Sequence, residues 1–114
     1  MKDIIDDLAS WGCDVNTAID RFDGDRELYL ECLSIFDKDK NFDDLGQLLQ
    51  EKKYAEAFNC AHALKGVTAN LSLGPLLAAI TVISDHLKYG EYEKAAGDYA
   101  ALKDIKKQYD IIVG

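Results

Sequence analysis

Ile4, Ile5, Leu8 and Trp11 recur at three- and four-residue intervals, the spacing that gathers side chains on one face of an α-helix. Gly12 stops that turn, and Asp14 is placed to cap a second short helix carrying Val15, Ala18, Ile19 and Phe22. Gly24 breaks the chain again. Asp25 then supplies a cap for a segment whose apolar residues Leu28, Tyr29, Cys32, Leu33, Ile35 and Phe36 keep the helical period. The polar run 37–41 interrupts the pattern before Phe42, Leu45, Leu48 and Leu49 resume it, which predicts one broken helix over 25–51. The densest apolar segment, 54–72, is rich in Ala and Leu and predicts a central helix. Gly74 and Pro75 stop it and place a proline in the first turn of the next helix, where its missing N–H is not needed. That helix runs from Pro75 to about Tyr89 with Leu77, Ile80, Ile83 and Leu87 inward, and Gly90 closes it. A last helix, 91 to about 112, aligns Tyr92, Ala95, Tyr99, Leu102, Ile105 and Tyr109.

Four substantial amphipathic helices with short connections predict an all-α fold, an antiparallel up-and-down four-helix bundle over 25–114, with the short helices of 1–24 covering one end. A length of 114 residues suits a single domain, and one proline is too few for the turns of an all-β chain. Cys13, Cys32 and Cys60 are odd in number and show no CxxC spacing, which suggests neither a disulfide framework nor a structural zinc and fits a reducing cytoplasm. Acidic residues outnumber basic ones 21 to 13, and the net charge of −8 opposes binding to nucleic acid or to an anionic membrane. The N-terminus lacks the apolar run of a signal peptide and no segment is apolar enough to span a membrane, so a soluble, cytoplasmic, monomeric protein is expected.

Candidate chemistry lies on the central helix. At about 100° per residue, Cys60, Leu64, Val67 and Leu71 form its expected core stripe, and His62 falls almost opposite. Around His62 on the outward face come Ala55, Asn59, Lys65, Gly66 and Ala69, where an ordinary exposed face would carry Glu, Lys and Gln. A mid-helix glycine costs about 1 kcal/mol against alanine, so Gly66 points to a partner surface that approaches the backbone beside His62. An imidazole that carries a phosphoryl group needs exposure, a nearby cation and room for the donor; His62, Lys65 and Gly66 offer these. A lone exposed histidine is, by itself, most often a solvated side chain.

The run Ala61-His62-Ala63-Leu64-Lys65-Gly66-Val67-Thr68-Ala69-Asn70-Leu71 resembles the signature of histidine-containing phosphotransfer (HPt) domains, in which a helix carries H-x-L-K-G followed by A-N-L-G. Upstream, Gly12 to Val15, Ala18, Arg21-Phe22, Gly24-Asp25, Leu28-Tyr29, Leu33 and Phe36 are similar to that family's lead-in, so the likeness covers about 11–90. The resemblance implies a phosphorelay intermediate of two-component signalling. His62 would accept the phosphoryl group at Nε2, Lys65 would stabilise it, and Gly66 would leave space for a receiver domain. Lys88, or less well His86, would face the phosphohistidine from the following helix, and Leu73, Ala69 and Ala55 would line the contact. The partners implied are response-regulator receiver domains or a hybrid sensor histidine kinase. The carrier itself would need no cofactor and would not be an autonomous enzyme, since Mg²⁺ and the catalytic aspartate belong to the receiver. Ser72 stands where the family commonly has glycine, which bears on the turn geometry.

Other signals are weaker. Asp37, Asp39 and Asn41 match the first ligands of a calcium loop, but Phe42 and Leu48 stand where glycine and glutamate are needed. Cys60 lies on the far side of the helix from His62, a poor arrangement for a Cys-His nucleophile pair. His62 and His86 have no acidic partner at helical spacing that would define a metal site. The competing expectation is a helical interaction module that docks on receiver or kinase domains without carrying phosphate.

Overall fold

The computed structural model describes residues 3–114, and the described chain is helical, with no strand. Seven helices follow one another: α1 (Ile4–Trp11), α2 (Val15–Arg21), α3 (Arg26–Asp37), α4 (Asn41–Gln50), α5 (Tyr54–Asn70), α6 (Gly74–Lys88) and α7 (Tyr92–Val113). Asp3, Asp14 and Asp25 cap the first three, each side chain accepting a hydrogen bond from a backbone N–H in the first turn, which satisfies donors that have no partner within the helix. Gly12 ends α1 in the left-handed conformation (φ 117°) and lies against the Pro75 ring at the start of α6. A side chain there would be strained by the backbone angle.

The broken helix expected over 25–51 has its break at 38–40, between α3 and α4. Asp39 accepts a hydrogen bond from the Asn41 N–H, 2.9 Å away, a local alternative to helix hydrogen bonding that interrupts the helix there. Within α3, Tyr29, Leu33 and Phe36 are buried, whereas Leu28 and Ile35 of the predicted stripe face solvent. Helix α6 buries Leu76 rather than Leu77 beside Ile80, Ile83 and Leu87.

Helix α5 packs on α4 and α6, and α7 packs on α6 and more lightly on α4, so the last four helices enclose a common core. Fully buried Leu45, Leu64, Leu76, Ile80, Ile83 and Leu102 fill its interior. Tyr99 lies across the α4–α7 seam, directly over Gly46, where an added Cβ would overlap its ring, and its hydroxyl donates to the Phe42 carbonyl at 2.7 Å.

Helices α1 to α3 pack at the end of the molecule that holds the α5–α6 turn and the C-terminus of α7. The Trp11 indole donates to Gln108 at 2.9 Å and the buried Tyr29 hydroxyl donates to the Leu71 carbonyl at 2.8 Å. Arg21 reaches the same turn, its Nη1 donating to the carbonyls of Ala69 (3.0 Å) and Asn70 (2.8 Å) and to Ser72 Oγ (3.0 Å). A guanidinium on the last carbonyls of α5 satisfies acceptors left open at a helix C-terminus and complements its dipole. Ser72 itself sits at φ 55°, the left-handed geometry that glycine adopts at no steric cost.

Candidate functional site

Helix α5 presents Ala57, Cys60, Ala61, Leu64 and Thr68 to the core. Two positions differ from the expected stripe. Val67 is exposed at 36%, and Leu71 is buried but lies just past the helix end. Thr68 takes the inward position because its hydroxyl donates to the Leu64 carbonyl at 2.8 Å, so the helix backbone satisfies it. With small Ala57 and Ala61 inward, neighbouring helices approach closely while the opposite face stays free of packing duties.

His62 is on that opposite face and is exposed, with Ala55, Asn59, Gly66 and Ala69 exposed around it and Lys65 half-buried. The Phe58 ring, one turn before His62, lies nearly parallel to the imidazole with centroids 6.3 Å apart, giving the ring an apolar flank on one side. Among the described residues His62 has no hydrogen bond or ion pair, so both ring nitrogens are available to solvent or a partner. A Cβ built on Gly66 would meet nothing within 4 Å. The glycine is therefore not demanded by packing inside this chain, in contrast to Gly46 under Tyr99.

The remaining sequence-derived candidates separate. Leu73, expected at the docking contact, is fully buried. It immediately precedes α6 and turns into the core, so it does not line a surface. Lys88 is exposed at the end of α6, its ammonium 5.7 Å from the centroid of the neighbouring Tyr89 ring. Lys88 is the last residue of α6, far from the α5–α6 turn, whereas His62 stands mid-way along α5. His86 is turned to α7, where Nδ1 meets Asp98 Oδ2 at 2.5 Å. It does not face His62.

Cys60 is buried, and its thiol donates to the Asn41 carbonyl at 3.1 Å on α4. Burial, with the negative charges of Asp44 and Asp39 adding to it, pushes this thiol up to about 11, which keeps it protonated and unreactive near neutral pH. Among the described residues no group of three or more His, Cys, Asp and Glu side chains is arranged to hold a metal ion.

Arg21 is the cation that sequence reasoning missed. It brings a positive charge to the end of α5 beside Ala69, two turns from His62. No periodicity announces it, because its partners are backbone carbonyls 48 and 49 residues away. No protein-family model, curated protein or solved structure matches the chain.

Proposed function

We propose that this chain is a phosphoryl carrier of the HPt type, a cytoplasmic monomer built on a four-helix bundle over 25–114 and passing a phosphoryl group between receiver domains through His62. The observation that carries the reading is an unpartnered imidazole on the exposed face of α5, next to a helical glycine that nothing within the chain requires. The packing of α5 on α4 and α6, and of α7 on α6 and α4, supports the bundle. In each transfer the His62 Nε2 lone pair attacks phosphorus, the acyl P–O bond of the donor aspartyl phosphate breaks, and the donor carboxylate leaves. The reverse attack by a second receiver's aspartate returns the imidazole. Mg²⁺ held by the receiver would offset charge on the phosphoryl oxygens, while Lys65 adds a cation one turn from the ring and Gly66 admits the receiver backbone.

Incubation with a phosphorylated receiver domain and Mg²⁺ is the test. The expected result is an acid-labile, base-stable label on the wild type and none on His62→Gln. Persistent labelling of His62→Gln by the receiver overturns the proposal. Tight receiver binding without any transfer identifies the chain as an interaction module instead.

A further inference from the structure

The second histidine has the arrangement that His62 lacks. His86 comes from the last turn of α6 and Asp98 from the second turn of α7, and His86 Nδ1 and Asp98 Oδ2 are 2.5 Å apart with both side chains about three-quarters buried. A carboxylate can only accept, so in the neutral ring the proton resides on Nδ1 and the lone pair on Nε2. That Nε2 makes no hydrogen bond. It reaches solvent, since among the described residues the side-chain N or O atom that is both sealed and unpartnered is the Tyr109 hydroxyl. The imidazole is thus fixed in tautomer and orientation by one nitrogen and open at the other. The nearby Glu91 carboxylate is occupied by the Lys94 ammonium at 2.6 Å, which offsets a charge that would otherwise repel an anion.

The geometry points to His86 as a second phosphoryl-accepting imidazole, modified at Nε2 by a small high-energy phosphodonor of the acyl phosphate class. The Nε2 lone pair forms the new N–P bond, the donor's P–O bond breaks, and the carboxylate leaves with the bonding electrons. The ring keeps its Nδ1 proton and so becomes cationic as the bond forms. Asp98 stabilises that charge at hydrogen-bond distance, as a buried carboxylate does for an imidazolium formed during catalysis. Asp98 is a positioning residue here, because it touches neither phosphorus nor the leaving group. The inference is independent of the reading of His62, which has no carboxylate partner and is offered to a macromolecular donor.

Acetyl phosphate, the simplest acyl phosphate, is the probe, and its acetate leaves as the P–O bond breaks. Trypsin cleaves after Lys53, Lys65 and Lys88, which places His62 and His86 on separate peptides, so mass mapping at alkaline pH follows each site in the folded wild type. His86 is expected to be labelled faster than the far more exposed His62, and the two rates to converge in urea. His62→Gln keeps the His86 label. Asp98→Asn slows labelling of His86 about tenfold or more, the usual cost of losing a partner that orients a histidine, and leaves His62 unchanged. Slower labelling of His86 than of His62 in the folded wild type overturns the proposal, as does an Asp98→Asn chain labelled at His86 at the wild-type rate. A purely structural link between α6 and α7 gives the first of these, because burial then only shields the ring.

Discussion

Gly66 and Tyr109 are the two residues at which local chemistry and local stability pull apart, in opposite ways. Gly66 has a helical backbone and open space where a side chain would be, so Gly66→Gln removes the conformational penalty of a mid-helix glycine and is expected to stabilise the fold by about 0.5 kcal/mol. The same substitution puts a long side chain one turn from His62, and receiver-to-His62 transfer is expected to fall tenfold or more. A thermal melt and a phosphotransfer time course on one preparation check both halves, and transfer at the wild-type rate shows that the receiver docks elsewhere. Tyr109 is fully buried, its ring edge-on to Phe36 and tilted against Trp11, and its hydroxyl is sealed with no partner. An unsatisfied buried hydroxyl costs about 1–3 kcal/mol, while Tyr109→Phe keeps every ring contact. The variant is expected to be up to about 1 kcal/mol more stable than the wild type, read as a higher urea midpoint; a lower midpoint shows that the hydroxyl is paired in solution. His62 and Gly66 were legible in the sequence because both break the pattern of an exposed helix face. The state of Tyr109 was not, because period places the ring inward without saying what meets its oxygen.

At the level of elements, the turns hold the strain. Lys52 and Ser72 both have a left-handed backbone, φ 60° and 55°, at the ends of α4 and α5, and a β-carbon in that region costs about 1 kcal/mol against glycine. Lys52 is exposed and, among the described residues, makes no hydrogen bond through its side chain, so Lys52→Gly is expected to gain most of that amount. Ser72→Gly relieves the same strain but loses the acceptor of a 3.0 Å bond from Arg21, so it is expected to gain less or nothing. Paired denaturant melts compare the two, and an equal gain means that the Arg21 to Ser72 bond contributes nothing. The contrast also explains which elements could be read from sequence. Caps at Asp14 and Asp25, the Gly74-Pro75 stop and the α5 to α7 periods are local signals, and each has its element. The inward turn of Leu73 and the reach of Arg21 to the far end of α5 depend on contacts between distant segments. The break between α3 and α4 is local too: the polar run 37–41 marks it, without naming the Asp39 to Asn41 bond that interrupts the helix.

Across the whole molecule, the buried weak acids set how the fold responds to alkali. Cys13 joins the α1–α2 connection to Gly74 at the start of α6, and Cys60 joins α5 to α4, so the two thiols sit in separate seams of the molecule. Burial raises each from the ordinary value near 9 to about 11, against a backbone hydrogen bond from Gly74 that lowers Cys13 slightly. Tyr29 and Tyr109 are raised above the usual tyrosine range by the same cause. Between pH 9 and 11 the unfolded chain has released these thiol protons while the folded chain still holds them. The unfolded state then binds fewer protons, and stability falls as pH rises. Below pH 9 both states hold the protons and these groups contribute no slope; above pH 10 the two tyrosines extend the decline. The urea midpoint, followed by helical circular dichroism, is expected to fall progressively from pH 9 to 11. It should do so as one transition, because the seams belong to one packed interior. Cys60→Ala removes one of the two thiols and should shallow that fall while leaving the tyrosine-driven decline above pH 10. A midpoint that stays level from pH 9 to 11 in the wild type would mean that Cys13 and Cys60 ionise as freely in the folded chain as in the unfolded one.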